Sequence, residues 1–286
     1  MKECPVQVRH CDTGTARTSS SIIFIGCFLM ACVLTLSIFI MAKFKNLKKD
    51  ELIEKHFLAT SYIILFATTR LIWWCMNITT YEAYSAAGII NKMLNRCAML
   101  FLYLAQSYYS RTWLSLFIIL NGQRWNSQLN FVLSIIDVII SILLTVTIIC
   151  CAIPQEETAN FQDYAAEIIT IASLLTIILF IIIGAIIIRK VGQFYGPCSR
   201  QKRPFIVFTF LLILPSILRV LTLFYDAMTG EKMNSNFFMM FFYLVPDIFP
   251  VIVISADQLK QFLEKQKKQE EEYLLETTTK EFEWFV

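Results

Sequence analysis

The sequence predicts an all-α integral membrane protein: a bundle of seven transmembrane helices with its N-terminus outside or luminal and its C-terminus in the cytosol. Three observations carry this. The chain is 57% hydrophobic and 16% charged, with a positive mean hydropathy of 0.60, whereas a soluble domain carries roughly 25% charged residues. Its apolar residues are gathered into seven runs, each about as long as a bilayer is thick. Its basic residues, finally, are bunched beside alternate ends of those runs.

In chain order, residues 1–19 form a segment before the first span, and Cys4 and Cys11 within it can pair if that end is luminal. The first run, 20–41, is too long for a signal-peptide core and is followed by Lys43, Lys45, Lys48 and Lys49, so it is expected to remain as an anchor. Further spans are expected at 56–78, 97–120, 131–153, 168–188, 205–225 and 237–256, making 20–256 a single bundle, with 257–286 as a cytosolic tail. The last of these runs is the most informative. It is oily throughout but holds Asp247 near its middle, flanked by Pro246 and Pro250. The prolines remove backbone donors and are expected to kink the helix, which a packed bundle tolerates.

Orientation follows from the connections. With the N-terminus outside, the inner segments hold fifteen basic residues, including Lys43 to Lys55, Arg189 to Arg203 and Lys260 to Lys268, and the outer segments hold six. The sequon Asn77-Ile78-Thr79 then falls on the outer side, which makes Asn77 a candidate glycosylation site close to the membrane. In the tail, Leu259, Phe262 and Leu263 alternate with lysines, the pattern either of a helix lying on an anionic membrane face or of a solvated one. Further on, Glu270, Leu274 and Leu275 fit an acidic dileucine sorting signal, which cytosolic adaptor proteins read.

Five charges lie inside the predicted spans: Arg70, Arg111 and Arg219 against Asp137 and Asp247. A charge at the bilayer centre costs about 2.5–3.5 kcal/mol even on the insertion scale, so each must face protein or water. Counting about 1.5 Å per residue from the span ends, Arg70 and Asp247 lie at similar depth in the outer half, with Arg219 somewhat shallower. Arg111 and Asp137 lie in the inner half of consecutive spans, within reach of a long arginine side chain. Two pairs are therefore expected, Arg70 with Asp247 and Arg111 with Asp137, leaving Arg219 over. They either fix helix register or build a site. In the second case Asp247, Arg70 and Arg219 would line a pocket walled by Trp73, Trp74 and Tyr243, whose net positive charge suits an anionic ligand.

Chemistry of other kinds finds little support. His10 and His56 are the only histidines, far apart in the chain, so neither a metal cluster nor a serine-histidine dyad is expected, and no cofactor is implied. Cys27, Cys32, Cys75, Cys150 and Cys151 sit in apolar runs without metal-ligand spacing. Glycine-rich phosphate loops are absent, and no nucleic-acid partner is expected. The protein is read as a non-enzyme. Rhodopsin-like receptors are excluded by motif: the third span ends in Leu120-Asn121-Gly122-Gln123-Arg124, and the seventh carries Val245-Pro246-Asp247 without an asparagine-proline-tyrosine switch.

The chain resembles the tobamovirus multiplication protein family of plants and protists, itself related to orphan receptor-like proteins of animal lysosomes. Three stretches carry the resemblance: Arg70 followed by Trp73-Trp74, Phe101-Leu102-Tyr103 leading to Gln106-Ser107-Tyr108-Tyr109, and Tyr243, Asp247 and Pro250 in the last span. The family usually has glutamate where this chain has Asp247 and a small polar residue where it has Val251, and the family's basic residue after the last helix matches Lys260 only loosely. The resemblance implies a receptor-like protein of vacuolar, lysosomal or other endomembranes that recruits cytosolic partners such as small GTPases or adaptor proteins. It would make the basic connection 189–203 a docking or lipid-binding face and Cys198 a candidate acylation site. A divergent G-protein-coupled receptor, at the plasma membrane, and a small-solute or anion transporter are the alternatives.

Overall fold

A computed structural model describes residues 16–44, 51–78, 86–120, 127–152, 161–195, 202–229 and 234–283. All regular structure among them is helical: α1 (Ala16–Phe44), α2 (Glu51–Met76), α3 (Ala86–Leu120), α4 (Ser127–Ala152), α5 (Phe161–Tyr195), α6 (Lys202–Thr229), the single turn α7 (Ser235–Phe238), a π-helical segment Met239–Leu244, and α8 (Val245–Glu283). Consecutive helices pack side by side. The series closes on itself, because α8 packs against both α6 and α1, and α3 leans inward to touch α5 and α8 as well as α2 and α4.

Among the described residues, five stretches are long and apolar enough to cross a membrane: Thr18–Phe44, His56–Met76, Phe131–Cys151, Ile168–Arg189 and Asn236–Lys267. A sixth, Thr209–Tyr225, is apolar but shorter. The protein is thus a multi-pass, all-α membrane protein. Its outer surface bears this out chemically, with Phe24, Phe28, Phe131, Ile142, Ile181 and Leu221 all more than half exposed. Such a belt is costly in water and neutral against acyl chains.

Helix α3 has the opposite character. Asn91, Asn95, Gln106, Ser107, Ser110 and Thr112 on it are all buried. Because α3 faces protein on most sides, its polar residues meet partners rather than lipid, and it needs less oil than its neighbours.

Two glycines set the closest approaches. A Cβ on Gly26 of α1 would stand 2.7 Å from the indole of Trp74 on α2, and one on Gly184 of α5 would stand 2.2 Å from Thr209 Cγ2 on α6. Only hydrogen fits at either place, the small-residue logic of helix packing in lipid.

The last expected span and the tail form one helix: α8 runs unbroken from Val245 to Glu283, about 58 Å at 1.5 Å per residue. The start of the tail packs on the bundle. Phe262 is buried against Ile40 and Phe44 of α1, with Leu259 packed beside it, while Leu263 stays exposed. The alternation of apolar and basic residues arises because one stripe of the helix still touches the bundle.

Candidate functional site

The site grows from the break in backbone pairing before α8. Pro246 has no N–H, so the carbonyl of Phe242 four residues back loses its usual helical donor. The chain responds with wider turns, the Val245 N–H reaching the carbonyl of Met240. The Phe242 carbonyl is taken up from outside the helix: the Nε–H of Arg219 on α6 donates to it at 3.4 Å. The same guanidinium donates through Nη2 to Asp247 Oδ1 at 2.6 Å. The prolines thus create an acceptor, and α6 supplies the donor.

Asp247 is fully buried and held from two sides. Arg70 Nε of α2 stands 2.5 Å from its second oxygen, with neither side chain exposed. That contact is an ion pair rather than an aligned hydrogen bond, because neither Arg70 Nε nor Asp247 Oδ2 has a partner in bonding geometry. Arg70 Nη1 donates to Asn95 Oδ1 of α3 at 2.5 Å, and Asn95 Nδ2 donates to the hydroxyl of Tyr243 at 3.3 Å. The Arg70 guanidinium lies 4.6 Å from the ring centroid of Trp73 and 5.4 Å from that of Tyr243, the two rings being adjacent with centroids 4.9 Å apart. Aromatic faces of this kind favour a desolvated cation. Arginines from α2 and α6 therefore meet at the carboxylate of α8, and α3 joins the cluster through Asn95.

Arg219 is not left over, contrary to the two-pair expectation: it is the second cation on Asp247. Nor do the aromatic residues wall an open pocket around Arg70. Trp73 and Tyr243 lie directly on the guanidinium, and Trp74 turns away to pack on Gly26, within a core where Arg70, Trp73 and Trp74 have no exposure. The space Arg219 does border lies on its other side, between α3, α4, α5 and α6, lined by Tyr103, Gln106, Ser173, Thr176 and Ser216.

The Arg111–Asp137 pair forms across two consecutive helices. Arg111 Nη2 of α3 contacts Asp137 Oδ2 of α4, and Arg111 Nη1 donates to Ser134 Oγ at 3.1 Å. Asp137 also accepts from Tyr103 at 2.5 Å and Ser107 at 2.8 Å. Tyr103, Ser107 and Arg111 are spaced by four residues, so α3 presents all three on one face to one carboxylate.

A third polar cluster, unforeseen in the sequence, ties the first turns of α2 to α3 and α8. Tyr109 donates to Asp257, Gln261 donates to the same carboxylate at 2.6 Å, and Thr60 donates to Gln258 at 3.1 Å. His56 stacks on Phe44 at 5.9 Å beside them. The signal was the spacing of Asp257, Gln258 and Gln261 just past the apolar run, which reads equally as the start of a polar tail.

Asn77, the candidate glycosylation acceptor, is buried, and its amide donates to the Trp73 carbonyl at 2.7 Å to close the last turn of α2, with Asn91 alongside. Cys198 lies outside the described residues, as do Cys4, Cys11 and residues 196–201 of the basic connection. Arg189 and Lys190 belong to α5 itself. Glu270, Leu274 and Leu275 lie in the helical backbone of α8, and their side chains lie outside the described residues. Among the described residues no group of three or more His, Cys, Asp or Glu is placed to hold a metal ion.

Comparison of the chain with protein-family models, with curated proteins and with solved structures finds no match.

Proposed function

We propose that the chain is a seven-span, receptor-like protein of endomembranes, N-terminus luminal and C-terminus cytosolic, that recruits cytosolic partners as a scaffold or regulator. One observation carries the reading. The helix bearing Asp247 continues without a break to Glu283, so any shift in the buried charge cluster moves the segment that would face the cytosol. A rigid element with one end in a polar core and the other among Lys260, Lys265 and Lys267 has the form of a coupling device. The excess of basic residues beside the inner ends supports the orientation. The counting of α3 as a span rests on its length of 35 residues and its burial among other helices, not on its hydropathy.

The likeness to the tobamovirus multiplication family supports the endomembrane address and partners of the small-GTPase or adaptor class. The test is capture of cytosolic proteins by the full-length chain and by a variant with residues 196–201 replaced by a neutral linker, together with microscopy of a tagged copy. Partner loss in the variant and vacuolar or lysosomal residence are the expected results. Residence at the plasma membrane with ligand-dependent nucleotide exchange on a G protein would replace this reading with that of a signalling receptor.

A further inference from the structure

The charge cluster is unbalanced. Arg70 and Arg219 face one carboxylate, and all three side chains are buried. Arginine does not shed its proton in proteins, so the surplus positive charge cannot be removed by titration. The Arg70 half is compensated locally by Asn95, Trp73 and Tyr243. The Arg219 half has other surroundings: Nη2 donates to Asp247, Nε donates to the Phe242 carbonyl, and the side chain borders a cavity.

Arg219 borders the cavity between α3, α4, α5 and α6. Facing the same space is Gln106, 3% exposed, whose Nε2 amide has no hydrogen-bond partner. Ser173 and Ser216 add hydroxyl donors, and no carboxylate is among the lining residues. A buried amide N–H left without an acceptor is costly, which argues for an occupant. The space is of the order of one or two water molecules, far below a drug-sized ligand.

We propose that this cavity is a binding site for a small monovalent anion of halide size, held by Arg219, Gln106 and Ser216, which neutralises the surplus charge beside Asp247. The site is independent of the scaffold reading and stands whether or not cytosolic partners bind. Occupancy locks α6 to α3 from the side opposite Asp247, so the anion stabilises the folded bundle.

The test uses the purified full-length protein in nanodiscs, melted by tryptophan fluorescence at constant ionic strength while sodium gluconate is replaced by sodium chloride or bromide. A saturable rise in melting temperature with either halide is expected, by linkage of binding to folding. Ser216→Ala removes a donor at little cost in volume, and Gln106→Leu removes the amide. Each should raise the half-saturating halide concentration at least fivefold, whereas Leu263→Ala, on the exposed face of α8, should leave it unchanged. Comparing variants at the same salt cancels the general effect of exchanging one anion for another. Equal melting of the wild-type chain in chloride and gluconate would overturn the proposal, and so would an unaltered halide response in Ser216→Ala. Should Gln106→Leu fail to fold, Ser216→Ala decides.

Discussion

Asp247 and Asp137 are both carboxylates on apolar helices, yet their surroundings differ in kind. Asp247 is fully buried and bridges arginines from α2 and α6, two helices distant in sequence. Asp137, with 17% of its side chain exposed, meets Arg111, Tyr103 and Ser107, all from the preceding helix α3. The first arrangement closes the bundle, since α8 can dock on α2 and α6 only when all three charges meet. The second reinforces a contact between sequence neighbours that a short connection already favours. The number of remaining donors sets the stakes: removing one member of the fully buried cluster strands the others, while Asp137 keeps the hydroxyls of Tyr103 and Ser107 when Arg111 is lost.

The largest test of that contrast is Asp247→Asn. With two guanidinium groups left facing a neutral amide, the folded state should lose about 3–5 kcal/mol, seen as loss of a monodisperse peak in fluorescence-detected size-exclusion chromatography. A near-normal melting profile would show that the cluster does not organise the bundle. Next is Gly26→Val, which pushes on Trp74 and, through it, on the Trp73 ring that covers Arg70. Overpacking of this kind should cost about 2 kcal/mol, read as a lowered melting temperature in nanodiscs.

A smaller effect is expected at the Arg111–Asp137 pair. Arg111→Leu should cost about 1.5 kcal/mol, because Asp137 keeps its bonds from Tyr103 and Ser107. A loss as large as that of Asp247→Asn would erase the distinction between the two clusters. Smallest is Pro246→Ala, which restores an N–H to compete with Arg219 for the Phe242 carbonyl. A change within about 1 kcal/mol in either direction is expected, accompanied by faster hydrogen exchange of the Arg219 side chain as its acceptor is withdrawn.

The sequence made some of this legible and hid the rest for identifiable reasons. Arg70 and Asp247 could be matched by depth, since rise per residue in a spanning helix is fixed and the membrane forbids a lone charge. Tyr243 was expected near them as a pocket wall, but neither its ring lying on Arg70 nor Asn95 as the link between the two could be placed. An asparagine and a tyrosine on apolar helices carry no obligatory partner, and which face they share depends on how the helices rotate. Arg219 was mispriced because one-to-one pairing was assumed, whereas the carboxylate has two oxygens and uses both. Asn77 matched a recognition pattern that is blind to whether the side chain is already employed in closing a helix.

What the amino-acid order determined by itself is the membrane class: runs of apolar residues of bilayer length can only be helices when no water is present to satisfy the backbone. It also fixed where the ladder of α8 must fail, at Pro246, because a missing N–H is a covalent fact. Only the tertiary structure decided which donor would claim the freed carbonyl, that α3 rather than an oilier helix would sit at the centre, and that a tail of lysines would begin as a buried contact with α1. Those outcomes depend on the rotation and closeness of neighbouring helices, settled at places such as Gly26 and Gly184, where a single absent Cβ lets two segments touch.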